Sequence, residues 1–190
     1  MDINLDTIIK DHDATIRNKS QPVDLPLSMQ DKATLMALYN YVKDSINPKV
    51  AEEKKLKPAV GIAAIQAGIP KQLCAIICED ERSTEETNIW HHYALANAKI
   101  ISYSAKKSYL KHGEGCLSVE EDHSGYVMRS ARIKVQAYDL LQNKEVLIRA
   151  SGYLAIVLQH EIDHFQGILF YDYINKLDPY HASSDALIIE

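Results

Sequence analysis

The amino-acid sequence predicts an α+β fold in which antiparallel sheets pack around a central helix. Three observations favour this class: several short segments of strand-like composition, an alternating pair of segments joined by a polar turn, and one strongly apolar helical segment towards the C-terminus. Strands followed by a helix-bearing segment indicate a helix packed against antiparallel sheet. A chain of 190 residues has the size of one domain, so we expect residues 1–190 to form a single domain.

The first predicted element is a helix that begins after Ser28. Serine is a common N-cap residue, and Asp31 follows it within the first turn. Pro48 cannot continue a helix, so the helix should end before it. The apolar face recurs at helical spacing and comprises Leu35, Leu38, Tyr39, Val42 and Ile46.

Strands are predicted from apolar segments that are bounded by polar turns. They cover residues 73–78, 94–102, 107–111, 133–140 and 145–150, and residues 185–190 are interpreted as a last strand. Ile133, Val135 and Ala137 alternate with polar residues, and a turn at 142–144 follows. The strands on either side of this turn should therefore pair antiparallel.

Two residue pairs look like metal ligands but have simpler explanations. Cys74 and Cys78 lie in a predicted buried strand, which separates residues four apart by about 13 Å. We therefore interpret them as buried core thiols. His91 and His92 belong to the polar stretch 80–92, which we interpret as a loop, because neighbours in sequence seldom chelate one ion together.

The most informative segment is a predicted buried helix that contains His160, Glu161 and His164. The two histidines are four residues apart, so both imidazoles lie on one helical face and can reach a single divalent ion. Glu161 is placed to act as a general base on a water at that ion. Burying three polar groups together is costly unless something such as a metal satisfies them. Apolar neighbours at helical spacing are Leu154, Val157, Leu158, Ile162 and Phe165, with Gly167 at the expected C-terminal glycine position.

Two imidazoles leave the site short of a third protein ligand. The extended metalloprotease pattern requires His at position 170, which is Phe. His181 remains possible, although its segment is typical of an exposed loop. Cys116 lies between the glycines and an apolar residue in the segment 113–118, where the backbone can approach a ligand closely, and its thiolate would give three protein ligands with one open position. The acidic residues of the tail are less suitable because no second helix is evident there: Asp172, Asp178, Asp185 and Glu190.

A run of small residues at 61–66 offers a third candidate segment. Its low bulk allows the backbone to pack close to a substrate, and Gln66 supplies an amide donor. Taken alone, such a run is more often explained by close packing.

Together these segments resemble the three signature motifs of peptide deformylases. The motifs are Gly-Ile-Ala-Ala-Ile-Gln at 61–66, Glu-Gly-Cys-Leu-Ser at 114–118 and His-Glu-Ile-Asp-His at 160–164. The resemblance covers nearly the whole chain and is nearest to the second bacterial class, typical of Gram-positive bacteria. Ala59 stands where family members usually have Gly, and is expected to narrow the substrate cleft slightly, but it removes no group that the chemistry needs.

The resemblance implies a metal-dependent hydrolase that removes the formyl group from the N-terminal formyl-methionine of new polypeptides. Glu161 would be the general base, and the Gln66 amide and the Leu117 backbone N–H would stabilise negative charge on the formyl oxygen. Two His and one Cys do not by themselves choose between iron and zinc. The resemblance implies Fe²⁺, with Ni²⁺, Co²⁺ or Zn²⁺ able to substitute. The implied metal ligands are Cys116, His160 and His164.

The resemblance also implies where the substrate binds. The peptide beyond methionine would align with the backbone near Gly61 and Ile62, as an added strand does. An apolar pocket would receive the methionine side chain, and its implied lining is Tyr153, Ile156 and Val157.

Charged residues beside the implied ligands predict a supporting network. Glu114 and Asp163 each lie close in sequence to a ligand, and the fixed fork of an arginine can bridge two carboxylates. We therefore predict that Arg129 is shared between Glu114 and Asp163.

Composition and the N-terminus limit the partners. A net charge of −5 provides no basic surplus for binding DNA, and a ribosome contact would need a local patch. The N-terminus has no cationic start or apolar run, no segment approaches the length of a membrane span, and three cysteines fit a reducing compartment. We expect a cytoplasmic protein that acts on nascent N-formylmethionyl polypeptides.

Two other functions compete with this one. A zinc endoprotease is disfavoured by the Phe at position 170. A binding module or an inactive family member is disfavoured because the general base, the amide donor and all three ligands are present. An assay of a formyl-methionyl peptide against an internal peptide bond distinguishes these functions.

Overall fold

The computed structural model describes residues 2–84 and 86–190 and has the predicted α+β fold. In chain order the elements are α1 (Met29–Ser45), α2 (Pro48–Glu53), β1 (Gly61–Ala63), β2 (Leu73–Glu79), β3 (Trp90–Tyr103), β4 (Lys107–Leu110), β5 (Arg129–Ser130), β6 (Arg132–Asp139), β7 (Lys144–Ser151), α3 (Gly152–His164) and β8 (Leu187–Ile189), with 3₁₀ helices at Ala14–Arg17, Ala64–Ala67 and Phe170–Tyr173. One sheet contains five strands in the order β1-β2-β3-β6-β7, all paired antiparallel. A smaller sheet has the order β5-β4-β8, and its last pair is parallel. No helix in the described part of the chain is long and apolar enough to cross a membrane.

The five-stranded sheet is covered on one face by α1 and on the other by α3. Alternate residues of β2 belong to two separate apolar clusters: Cys74 and Ile76 pack on the α3 side, whereas Ala75 and Ile77 pack on the α1 side. Because both faces of β2 are covered, its sequence is a continuous apolar run rather than an alternating one. Both cysteines of this strand are buried and free, as predicted.

The predicted first helix is confirmed, and a second helix follows it that the sequence analysis missed. The Ser28 hydroxyl accepts a hydrogen bond from the Asp31 N–H at 3.1 Å, which caps α1. The helix ends at Ser45, so Ile46 lies beyond it and is 42% exposed instead of forming part of the apolar face. Pro48 is the first residue of α2, a position where its missing N–H costs nothing.

All predicted strands are present, but the loop prediction for His91 and His92 was wrong. Both residues lie in β3, opposite Cys78 and Ile77 of β2. Pairing with the buried residues of β2 extends β3 into the polar stretch. The His91 ring also forms a hydrogen bond with the Asp80 carboxylate at 2.7 Å. Glu85, in the same stretch, lies outside the described residues, as does Met1.

The turn that follows α3 contains Gly167, which another residue cannot replace without backbone strain. Gly167 has φ of +70°, its N–H donates to the His164 carbonyl, and the Ile168 N–H donates to the Asp163 carbonyl. This pair of bonds is the Schellman pattern. A Cβ on Gly167 would lie 2.0 Å from the carbonyl oxygen of Arg17, so the N-terminal segment packs directly against this turn.

We expect Gly167→Ala to lower the free energy of unfolding by more than about 1 kcal/mol, because an L-residue is strained at this φ and the Arg17 carbonyl must move. Urea denaturation measures the change. The matched control is Gly115→Ala, since Gly115 has ordinary φ and no atom within 4 Å of an added Cβ. Equal stabilities for the two variants would contradict this account.

Candidate metal centre and substrate cavity

Three side chains from two distant segments meet at one point beside α3. The Cys116 sulfur and one ring nitrogen each of His160 and His164 all lie within 4.8 Å of one another. The Cys116 Sγ is 3.5 Å from the His164 Nε2. The histidines come from adjacent turns of α3, whereas Cys116 lies in the irregular segment that follows β4. The structure thus brings together the three predicted ligands.

The chemistry of this donor set fits a transition-metal ion. Two imidazole nitrogens and a thiolate suit iron, zinc, nickel and cobalt alike. The His160 Nδ1 is bonded to the Glu114 carboxylate at 2.9 Å, which fixes the ring and leaves its other nitrogen for a metal. His181, the alternative third ligand, is exposed in the tail and pairs with Asp178 instead.

Electrostatics at the site favour a positive charge between these groups. Burial opposes charge on His160, but hydrogen bonds with Cys116 and Glu114 outweigh it and raise the pKa of His160 well above its usual value. Burial, with the nearby positive charges, lowers the pKa of His164 well below its usual value and keeps its ring neutral, as metal binding requires. Cys116 and Glu114 thus favour a positive charge at His160, where a bound metal ion would replace the proton.

Glu161 lines the same cavity, and no described residue forms a hydrogen bond or ion pair with its carboxylate. The residue is 4% exposed, and its Oε2 is buried without a hydrogen bond among the described residues. Burial raises the pKa of Glu161 to about 7. A Cβ on Gly61 would lie 2.4 Å from the Glu161 Oε1, so a larger residue at this position of β1 would displace the carboxylate. A buried carboxylate with a pKa near neutral can both accept and return a proton.

Gln66 and Leu117 carry the two hydrogen-bond donors that the family resemblance implies. The Gln66 Oε1 accepts from the Ala63 N–H at 2.9 Å, which turns the amide nitrogen towards Cys116 Sγ at 3.4 Å and Ser118 Oγ at 3.1 Å. The Leu117 side chain is buried, and its N–H makes no hydrogen bond within residues 2–84 and 86–190. The sequence analysis assigned no role to Ser118, whose hydroxyl helps to orient Gln66 in the structure.

A buried charge network connects the two ligand-bearing segments. Arg129 is 4% exposed and donates to both Glu114 oxygens, at 2.7 and 2.9 Å, and also to the Asp163 carboxylate. Burial opposes ionisation of Glu114, but hydrogen bonds from Arg129 and His160 outweigh it and lower the pKa of Glu114 to about 2. The Tyr173 hydroxyl, which sequence reasoning missed, donates to Asp163 at 3.1 Å.

A cavity of about 360 Å³ opens in front of these groups. Its lining includes Gly61 and Ala59 from the β1 region and the apolar side chains that α3 contributes, Tyr153, Ile156 and Val157. The Ile62 side chain packs in the α1-side core and does not line the cavity. Only its backbone can face a substrate. Lining residues that the sequence analysis missed are Ile46, Lys57, Pro58, Val60 and Leu110.

Comparison with known proteins gives a consistent result. The family described as polypeptide deformylase matches residues 5–180. The chain is 43% identical over 188 residues to peptide deformylase 2 of Bacillus subtilis, covering 99% of each, and 44% identical over 187 residues to peptide deformylase 2 of Geobacillus stearothermophilus, covering 98% of each. Among solved structures it is similar to the peptide deformylase of Ehrlichia chaffeensis, with a TM-score of 0.69 and 28% identity over 90% of this chain and 88% of that one. A probable peptide deformylase of Synechococcus phage S-SSM7 gives a TM-score of 0.65 and 32% identity over 87% and 97% of the two chains.

We expect Arg129→Ala to weaken metal binding or activity about 10- to 100-fold, because the carboxylates that orient His160 and flank His164 lose their shared partner. It should also destabilise the fold by about 3–5 kcal/mol, since two buried carboxylates are left uncompensated. Metal titration and urea denaturation measure the two effects. Arg132→Ala, at an exposed position of β6, is the matched control, and metal affinity unchanged in both variants would refute the network's role.

Proposed function

Because the chain belongs to the polypeptide deformylase family, we propose that the centre formed by Cys116, His160, His164 and Glu161 carries its activity. That activity is the metal-dependent hydrolysis of the formyl group from N-terminal formyl-methionine, with release of formate. The observation that carries the assignment of the centre is the convergence of three potential ligands within 4.8 Å at the end of a cavity that Glu161 also lines. We take residues 1–190 as one catalytic domain.

The resident ion is proposed to be Fe²⁺, held by Cys116, His160 and His164. The donor set also accepts Ni²⁺, Co²⁺ or Zn²⁺. When bound, the ion supplies Lewis-acid polarisation at this position. The Glu114 carboxylate keeps the His160 ring oriented, and the neutral His164 ring presents its Nε2 on the side of the thiol.

The side chains account for the proton transfers. Glu161 removes a proton from the attacking water as the water oxygen forms a bond to the formyl carbon. The carbon–nitrogen bond then breaks, and Glu161 transfers that proton to the leaving amine, so the products are formate and a free N-terminal amine. The Gln66 amide and the Leu117 N–H donate hydrogen bonds to the formyl oxygen and stabilise the negative charge that develops there. Both donors are in place before the reaction.

The cavity and the edge of β1 are proposed to bind the peptide. Methionine enters among Tyr153, Ile156 and Val157, whose side chains form an apolar wall on α3. β1 pairs only with β2 in its sheet, so the opposite edge at Gly61 and Ile62 offers backbone groups to an added strand. The substrates are nascent N-formylmethionyl polypeptides in the cytoplasm. With a net charge of −5, any ribosome contact depends on a local patch.

The endoprotease alternative has no support at position 170. Phe170 is 3% exposed and stacks near the His160 ring, with centroids 6.3 Å apart, so this position is part of the apolar core. Cleavage of formyl-methionyl peptides without cleavage of internal peptide bonds tests the assignment.

We expect Glu161→Gln to retain the metal and to lose about 10²- to 10⁴-fold in turnover, because the general base is removed while all three ligands remain. Cys116→Ala should lose both metal and turnover. Metal content per protein and deformylation of a formyl-methionyl peptide measure the two effects. Near-normal turnover in Glu161→Gln would sink the proposed mechanism.

We expect iron-loaded protein to lose activity in air and nickel-loaded protein to keep it, with oxidation at Cys116. A ligand thiolate is the oxidisable form of cysteine, whereas burial raises the pKa of Cys74 well above its usual value and that of Cys78 to about 12, so both remain thiols. Half-lives in aerated buffer and mass mapping of the three cysteines are the measurements. Equal half-lives for the two metal forms would count against iron and favour zinc.

A further inference from the structure

One short N-terminal segment touches both parts of the chain that carry the proposed oxyanion donors. The Ile9 N–H donates to the Gln66 carbonyl at 2.8 Å, and the Asp11 N–H donates to the Ser118 carbonyl at 2.8 Å. Gln66 belongs to a 3₁₀ helix after β1, whereas Ser118 follows β4 and Cys116. These bonds tie two segments that are far apart in the sequence to one strap, residues 9–11.

Lys10 is the middle residue of this strap, and its side chain points to Leu117. The Lys10 Nζ donates to the Leu117 carbonyl at 3.0 Å. The Lys10 side chain is 20% exposed, so this bond from a charged donor is largely shielded from water. Its other partner, Glu120, is 4.0 Å away and 59% exposed, which makes that ion pair the weaker contact.

The Leu117 N–H makes no hydrogen bond with the described residues, whereas the other parts of Leu117 are held. Its side chain is buried in the α1-side core, its carbonyl is held by Lys10, and the residue lines the cavity. We propose that Lys10 is a positioning residue: it holds the carbonyl of the Leu117–Ser118 peptide, which restricts the backbone dihedrals of Leu117 and so fixes the direction of the N–H in the preceding peptide towards the formyl oxygen. This inference rests on the proposed role of Leu117 as an oxyanion donor.

Three variants separate the hydrogen bond from the ion pair. Lys10→Met removes the donor and keeps an unbranched apolar side chain, Lys10→Arg keeps a cation with donors, and Glu120→Gln removes only the ionic neighbour. Each metal-loaded protein is assayed for kcat and KM with a formyl-methionyl peptide, for metal content and for urea denaturation. If Lys10→Met is too unstable to assay, Lys10→Gln, which shortens the side chain and removes its charge, takes its place.

We expect kcat to fall about tenfold in Lys10→Met, with KM and metal content close to those of the wild type. The loss is smaller than the ~10²–10³ seen when an oxyanion donor is removed, because the N–H remains but is less well oriented. Lys10→Arg should recover most of the lost kcat, and Glu120→Gln should match the wild type.

Several results would overturn the inference. An unchanged kcat in Lys10→Met, with only its stability lowered, would show a purely structural lysine. A fall in kcat that parallels a loss of metal would place the effect at Cys116, and equal losses in the Met and Arg variants would exclude the charged hydrogen bond. If the wild-type protein failed to deformylate the peptide, the proposed function itself would fall, and the inference with it.

Discussion

The buried guanidinium of Arg129 joins the two segments on which the metal centre depends. One segment follows β4 and carries Glu114 and Cys116, and the other is α3, which carries His160 and Asp163. Arg129 binds both carboxylates, and Glu114 in turn binds His160. A buried arginine or carboxylate that lacks its oppositely charged partner is strongly unfavourable. The charges are therefore stable only when both segments are in place. The same bonds that satisfy the charges therefore bring the ligands together.

A second constraint is that α3 must be apolar enough to cover a sheet and must still present polar side chains on one of its faces. Its apolar residues Leu154, Ala155, Val157 and Leu158 pack in the core on one side of the sheet, where Cys74 and Ile76 of β2 meet them. His160 and His164 are one turn apart, so a single face of the helix accommodates both ligands. At the helix end, the Schellman turn at Gly167 brings the backbone against Arg17, and the N-terminal segment is held there as well as at the strap. The N-terminal segment thus contacts the end of α3 and both proposed donor segments.

Features with a local signal, or with residues that belong to or flank the recognised motifs, could be predicted from the sequence, whereas other features set by distant contacts could not. The cap at Ser28, the alternation along β6 and the paired histidines each follow from spacing within a few residues, and all three elements form as expected. His91 and His92 were misassigned because their strand conformation comes from pairing with β2, which polarity does not show. α2 was missed because Pro48 was interpreted only as an end, although proline also begins helices. Neither Lys10 nor Tyr173 has a local signal, since each has meaning only through a partner elsewhere in the chain.

Several groups that support the site are hydrogen-bonded, whereas two of the proposed reacting groups are not. Glu114, Asp163 and the Gln66 carbonyl oxygens all have partners, whereas the Glu161 Oε2 and the Leu117 N–H have none among the described residues. An unpartnered buried polar group costs free energy, and a fold retains it only when the surroundings hold it in place. Here one unpartnered acceptor and one unpartnered donor belong to residues that line the same cavity, where the proposed mechanism has the water lose a proton and the formyl oxygen gain negative charge. A site of this kind reorganises little during the reaction, because its supporting groups are already bonded and its reacting groups already have their direction.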